Sequence, residues 1–223
     1  FDLQAGSASA ILAGATAGIG VTKTNTGTVT LSGVNTYTGV TTINAGTLSV
    51  ATIGNGGAAG NLGAATAAAG NLVLGGGTLQ YTGANASTNR DFTLTAGTTS
   101  SIDVTTNTLT MSGAGAATNG ALTKTGAGTL TFTGANTYTG LTTVSAGTLN
   151  LNTTAANSIA GNLTVAGGSA VLQQSDQIPD GANVVVSGGT LNIGANSDTV
   201  NGVQLTGGSI NGSGGTLTSV TTF

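Results

Sequence analysis

The chain has no cysteine, histidine, tryptophan or glutamate, and one proline, Pro179. Each absence closes a route. Without Cys there is no disulfide framework and no thiolate nucleophile. Without His there is no imidazole for general-base work or for a zinc site. Charge is nearly absent too: Lys23, Arg90 and Lys124 stand against Asp2, Asp91, Asp103, Asp176, Asp180 and Asp198. Three scattered cations cannot neutralise a phosphate backbone, which excludes nucleic acid as a partner. No apolar run reaches the roughly 18 residues of a membrane-spanning helix. The opening segment FDLQAGSASAILAG lacks the basic start of a signal peptide. A net charge of −3 is too small for electrostatic steering, and so few charges predict little sensitivity to pH or salt.

What is present is Gly (40 residues), Thr (45 residues) and an apolar fraction of 38%. Gly without a three-residue period, and almost without Pro, excludes collagen. The apolar fraction and the 4% of charged residues exclude simple disorder. Such a chain has to bury itself in something. A surface of Thr, Ser, Asn and Gly, where a cytoplasmic domain carries about a quarter charged residues, points to an extracellular protein.

One thirty-residue stretch occurs twice. Val21–Val50 reads VTKTNTGTVTLSGVNTYTGVTTINAGTLSV and Leu122–Leu151 reads LTKTGAGTLTFTGANTYTGLTTVSAGTLNL, with 18 of 30 aligned positions identical. Helix signals are almost lacking, because Gly60, Gly63 and Gly70 interrupt the Ala-rich patches. Short alternating runs such as TVTL, NLVL, TLTFT and TLNL read as strands, with Leu130 and Phe132 on one face and Thr129, Thr131 and Thr133 on the other. The tripeptide GTL recurs at intervals compatible with a turn of about twenty residues, the length of one β-solenoid coil. The fold class expected is therefore all-β, a parallel β-solenoid of about 10–11 coils with no helical domain, roughly 50 Å long. It runs through 1–223 as one continuous unit containing the segments 21–50 and 122–151. A sandwich or barrel is the alternative, since Asn-Gly turns at Asn55, Asn119, Asn201 and Asn211 could close hairpins. Both ends, FDLQAG and SVTTF, are strand-like and carry no capping helix. That predicts an excerpt of a longer array, or copies stacked end to end.

The segments Thr22–Leu48 and Thr123–Leu149 resemble the autotransporter-associated β-strand repeat, a motif of bacterial autotransporter passengers and related giant surface proteins. The resemblance implies a secreted, right-handed β-helix on the cell surface or in a matrix, used as a stalk, adhesin or filament. The connecting stretches resemble accompanying sequence less closely, and no translocator barrel is visible in this passenger-like sequence.

Candidate chemistry is thin. A polysaccharide-active β-helix enzyme would need two carboxyl groups. The close pairs are Asp176/Asp180, which read as turn and cap residues around Pro179, and Asp91 with Asp103. Asp103 reads as a solvent-facing residue with Ile102 and Val104 on the opposite face. The Gly-Gly pairs lack the aspartates of a calcium β-roll. No catalytic residue, cofactor or metal is expected. Lys23 and Lys124, each within TKT, read as outward lysines that discourage edge pairing. Asn35, Tyr37, Asn136 and Tyr138 of the two NTYTG motifs, with Tyr81, are the candidate ligand or stacking positions. Asn would stack in ladders and Tyr pack over a corner. Thr-x-Thr runs raise ice binding, although their irregular spacing argues against a flat array. The reading is a surface or matrix structural protein whose partners are itself or adjacent repeats end to end. An adhesin for glycans or a host surface is the alternative.

Overall fold

In the computed structural model, which describes residues 1–154 and 157–222, every strand pairing is parallel and no α-helix occurs among the described residues. One 3₁₀ turn, Ala69–Asn71, sits in the Ala-rich patch. The hairpin alternative is thereby excluded: Asn-Gly pairs lie at corners and strand edges instead. Phe223, the last residue of the terminal alternating segment, lies outside the described residues.

The chain winds as a solenoid of about ten coils with three sides. Face I holds five strands, from Asp2–Leu3 to Thr93–Leu94. Face II holds ten, from Gly6–Ala8 to Gly202–Leu205, and face III holds seven, from Ala86–Thr88 to Ser209–Gly212. A further pair, Asp198–Val200 with Leu217–Ser219, lies between faces III and II in chain order. Successive partners on face II are Ser7, Thr30, Ser49, Gln80 and Asp103, at intervals of 23, 19, 31 and 23 residues. From Thr123 onward the partners are Thr143, Thr164, Val185 and Gln204, at intervals of 20, 21, 21 and 19. The single long coil carries an excursion over 51–71.

Alternation turns every second side chain inward, and parallel register places each on its counterpart in the next coil. Val29, Leu48, Leu79 and Ile102 form one such buried ladder, and Leu109, Leu130, Leu149 and Ala170 another. Each fully buried Val, Leu or Ile contributes about 1.5–3 kcal/mol from water exclusion. Midway along the stack Phe92 packs between Phe132 and Tyr138, with ring centroids 6.3 and 6.2 Å away.

Outward positions align by the same rule. Thr28, Thr47, Thr78, Ser101, Thr123, Thr143 and Thr164 form a column of hydroxyl residues on face II. Thr108, Thr129, Thr148, Ser169, Thr190 and Ser209 form another on face III. The irregular sequence spacing of the Thr-x-Thr runs therefore hides a regular spatial register. Corners and loops absorb the extra residues and the two columns keep register; the pairing of Thr190–Gly194 with Ser209–Gly212 shifts only beyond them, between Asn192 and Gly194.

The two repeats do not occupy the same faces. Val21–Val50 supplies strands to faces I and II, and its Asn35 and Tyr37 lie on the third side. Leu122–Leu151 supplies faces II and III, and its Asn136 and Tyr138 lie on the side of face I, where Tyr138 meets Phe92. Between them the chain adds one extra stranded side, Ala86–Thr88, and the second copy is turned by about a third of a coil.

Gly39 and Gly140 close the two NTYTG motifs where one coil runs over the one before. A Cβ would sit 2.1 Å from the Gly18 oxygen at Gly39, and 2.1 Å from the Gly120 oxygen at Gly140. Gly39→Ala and Gly140→Ala are each expected to lower stability by about 1–3 kcal/mol through forced backbone shifts. Gly181→Ala, with nothing within 4 Å of its Cβ, should be tolerated. Thermal unfolding followed by circular dichroism distinguishes the three.

Candidate functional site

The polar side chains with chemical potential lie mostly inside the stack, tied to backbone. Asn35 and Asn136 are buried, and each bridges three coils. The Oδ1 of Asn35 accepts the Leu12 amide (2.8 Å) from the coil before, and its Nδ2 donates to the Asn61 carbonyl (2.8 Å) of the coil after. Asn136 accepts from the Gly115 amide (2.6 Å) and donates to the Ser158 carbonyl (2.7 Å). A buried amide with both ends satisfied stabilises the structure, whereas either end left alone would cost about 1–3 kcal/mol. Asn61 works similarly in the excursion. It accepts from the Thr52 amide (2.9 Å) and donates to the Gly33 carbonyl (2.9 Å).

Tyr37 and Tyr138 are wholly enclosed, and each shares a hydrogen bond with the Thr four residues on: Thr41 (2.8 Å) and Thr142 (2.9 Å). The flanking threonines, 36 and 38 or 137 and 139, point outward. Tyr81 is also buried, its hydroxyl donating to the Ala84 carbonyl at 2.5 Å. All five candidate ligand or stacking positions thus lie in the interior, and none of the three rings is an exposed platform. Burial pushes the Tyr37 phenol up to about 12, beyond what its Thr41 hydrogen bond offsets. It raises Tyr138 further and Tyr81 in the same direction.

The lysines reverse their expected orientation. Lys23 and Lys124 are fully buried, in phase with inward Val21 and Leu122, while Thr22 and Thr123 face out. Lys124 stands in the aliphatic ladder between Ile102 and Val144. Its ammonium donates to the carbonyls of Thr125 (2.6 Å), Gly126 (2.9 Å) and, one coil on, Ala146 (3.2 Å). Lys23 makes the same arrangement with the Asn25 carbonyl, the Asn25 Oδ1 (3.2 Å) and the Ala45 carbonyl (3.2 Å). The alternation of TKT, read strictly, requires this phase. Edge protection was the wrong physical analogy, because a long stem can fill a ladder while its ammonium reaches the corner. Desolvation lowers the Lys124 pKa to about 8, against a smaller opposing effect of Asp103, and also lowers that of Lys23.

Arg90 holds the excursion. The 2% exposed guanidinium donates to the carbonyls of Gly63 (2.8 Å), Gly54 (3.0 Å) and Ala65 (3.1 Å), with longer contacts to Asn55 and Ala58. Beside it Asn89 and Asn55 exchange bonds: the Asn89 amide reaches the Asn55 Oδ1 (3.0 Å), and the Gly56 amide reaches the Asn89 Oδ1 (2.8 Å). Desolvation lowers the Arg90 pKa from its ordinary value. Its isolation in sequence gave no cue to this role; the neighbouring 31-residue coil was the available signal.

The aspartates of the two candidate pairs are each engaged locally. Asp103 points outward as expected, with Ile102 and Val104 inside, but it is half-buried and not free in solvent. Its Oδ2 accepts from Gln80 (2.9 Å) and its Oδ1 is enclosed without a hydrogen-bond partner. Asp91 accepts from the Ala114 amide (2.7 Å). Asp176 is exposed with φ 55°, and Asp180 is exposed in the turn that the Ala182 amide closes onto the Pro179 carbonyl (2.8 Å). Asp198, not singled out by the sequence, is 2% exposed. Among the described residues no group of three or more His, Cys, Asp or Glu could hold a metal ion, and no helix is long and apolar enough to cross a membrane.

An interior tied coil to coil, with its polar groups used for stacking, defines a repeat-built β-solenoid. The family model of the passenger-associated-transport-repeat matches residues 21–50 and 122–151, so the chain carries two copies of that repeat within its β-solenoid. No curated protein and no solved structure matches the chain. The repeat implies a passenger-type surface protein with a β-helix fold.

Arg90→Ala is expected to cost at least about 1–3 kcal/mol by leaving buried carbonyls without a donor. It should also open 54–65 to limited proteolysis. Arg90→Lys should rescue little, since one ammonium cannot replace the planar fork. The buried phenols generate an alkaline prediction. Their folded pKa values are raised, so the stability they confer is present below the ordinary value of about 10 and is lost as pH rises through the folded values. Tyr37 and Tyr138 should therefore contribute little tyrosinate absorbance to the native protein at pH 10–11 and ionise together with unfolding.

Proposed function

We propose that this chain is a rigid, non-enzymatic segment of a secreted passenger, serving as a stalk or filament on a bacterial surface or in its matrix. The observation that carries the reading is the use made of the interior. Asn35, Asn136, Tyr37, Tyr138, Lys23, Lys124 and Arg90 all bond to the chain's own backbone or to a neighbouring threonine. Groups that could bind or react are spent on joining coils. Repeat and fold also point to a structural passenger segment in preference to an enzyme.

Stacked coils make stiffness cumulative, since each adds the same backbone bonds and the same apolar ladder to the last. The outer surface is a hydrated hydroxyl coat, with no charged residue in the face III strands. End-to-end assembly with adjacent repeats or other copies would extend the rod. Adhesion is the second reading, and the aligned hydroxyl columns of faces II and III favour it as surfaces for glycans.

Electron microscopy of the purified protein at several dilutions tests the proposal. Ten coils spaced by ~4.8 Å should give rods about 45 Å long. Fibres of such rods that persist on dilution would establish end-to-end assembly. Compact round particles would overturn the stalk reading, and saturable capture of single rods on a glycan array would replace it with adhesion.

A further inference from the structure

A column of buried polar groups climbs the side of face I in the upper half of the solenoid. It starts with Asn136, which takes the Gly115 amide from below and gives its own amide to the Ser158 carbonyl above. The Ser158 hydroxyl donates to the Gln177 Oε1 (2.7 Å), and the Gln177 Nε2 donates to the Thr153 carbonyl (3.1 Å). The next member is Asp198. Its Oδ2 accepts the backbone amides of Gln177 (2.8 Å) and Ile178 (3.1 Å) from the coil before, as the Asn136 oxygen accepts that of Gly115. The other oxygen, Oδ1, is the counterpart of an asparagine amide nitrogen, and it is enclosed without a hydrogen-bond partner.

At Oδ2 the position therefore has the surroundings of an asparagine oxygen, with the chemistry of an acid. An ionised carboxyl can only accept, so its second oxygen carries charge into an enclosed place with nothing to meet it. Protonation removes that charge, while Oδ2 goes on accepting the two backbone amides. Asp198 begins the strand Asp198–Val200, and its own backbone amide donates to the Thr216 carbonyl (2.9 Å), just before the strand Leu217–Ser219 with which it pairs.

We propose that Asp198 is a proton-operated latch: protonated, it ends the polar column without a buried charge and seats the two successive coils that carry Asp198–Val200 and Leu217–Ser219; ionised, it loosens them. The charged and titratable surroundings agree. From the preceding corner Asp176 disfavours a second negative charge, while strand Leu217–Ser219 brings no ionisable group. None of the three cations, Lys23, Arg90 and Lys124, acts on the carboxyl. Desolvation, outweighing the backbone hydrogen bonds from Gln177, Ile178 and Thr199, raises its pKa to about 6. The sign follows from linkage. A carboxyl raised in the folded state contributes stability that is fully present below its ordinary value of 3.8 and is lost as pH rises through about 6.

The test compares the full chain with Asp198→Asn, by thermal unfolding between pH 4 and 7 and by amide hydrogen exchange in 198–200 and 217–219 at pH 7. In the unsubstituted chain Tm should fall by a few degrees across that range. The variant should lose that fall and, at pH 7, exchange those amides at least tenfold more slowly. Parallel pH profiles, or faster exchange in a folded variant at pH 7, would overturn the latch. Should the variant not fold, the carbon-13 titration of the Asp198 carboxyl in the unsubstituted chain decides. A midpoint near 6 supports the proposal, and one at the ordinary aspartate value ends it.

Discussion

Parallel register between successive coils is the constraint from which everything else here follows. Once the backbone of one coil bonds to the next in register, a residue has no choice of neighbour: it lies on its counterpart one turn away. An inward position must then be filled by something that tolerates its own kind above and below, which favours Val on Val and Leu on Leu. Where a polar group enters such a ladder it must find partners along the stack, since no solvent reaches it. Asn35 and Asn136 do so with both ends of an amide, and the lysines do so by reaching the corner carbonyls.

The same constraint explains why coil length is free while strand register is not. Loop insertion costs little entropy beyond closure, so a 31-residue coil follows a 19-residue one without disturbing the Thr47–Thr78 step of the hydroxyl column. What the long coil does need is a clasp, because its extra backbone lacks a partner strand. Arg90, with five donors on one planar group, meets several carbonyls at once. No carboxylate appears among the partners that hold it. The charge is thus dispersed over backbone dipoles, an arrangement suited to a chain with so few acids to offer.

Much of the fold was legible in the sequence because alternation and repetition are local signals. TLTFT announces its inner Leu130 and Phe132, and the two NTYTG segments announce equivalent corners. The details of the interior were harder to read, for a physical reason. Whether Lys124 points in or out depends on the phase of the strand and on carbonyls of the following coil, some twenty residues away. A lysine in a Thr-rich run looks like surface until its phase with Leu122 is imposed. The burial of Tyr37, Tyr81 and Tyr138 is of the same kind, since a ring packs inside only if neighbouring coils leave a place for it. Asp198 resembles any other strand-edge acid in sequence. Its isolation arises from Gln177 and Ile178 below and the pairing with Leu217 above.

The rotation between the two repeats has a geometric consequence. They are separated by four full turns and one further side, so the spacing acts as a screw operation and not as a simple translation. Three such steps would be needed before a copy returned to the azimuth of the first. A flat partner lying along one side of the rod would therefore meet unlike sequence at the two levels, although the segments are near-duplicates. Two identical partners that each recognised the repeat would instead approach from directions about a third of a circle apart. Duplication in this chain thus supplies angular spread, where a duplication in phase with the coil would have supplied a stripe.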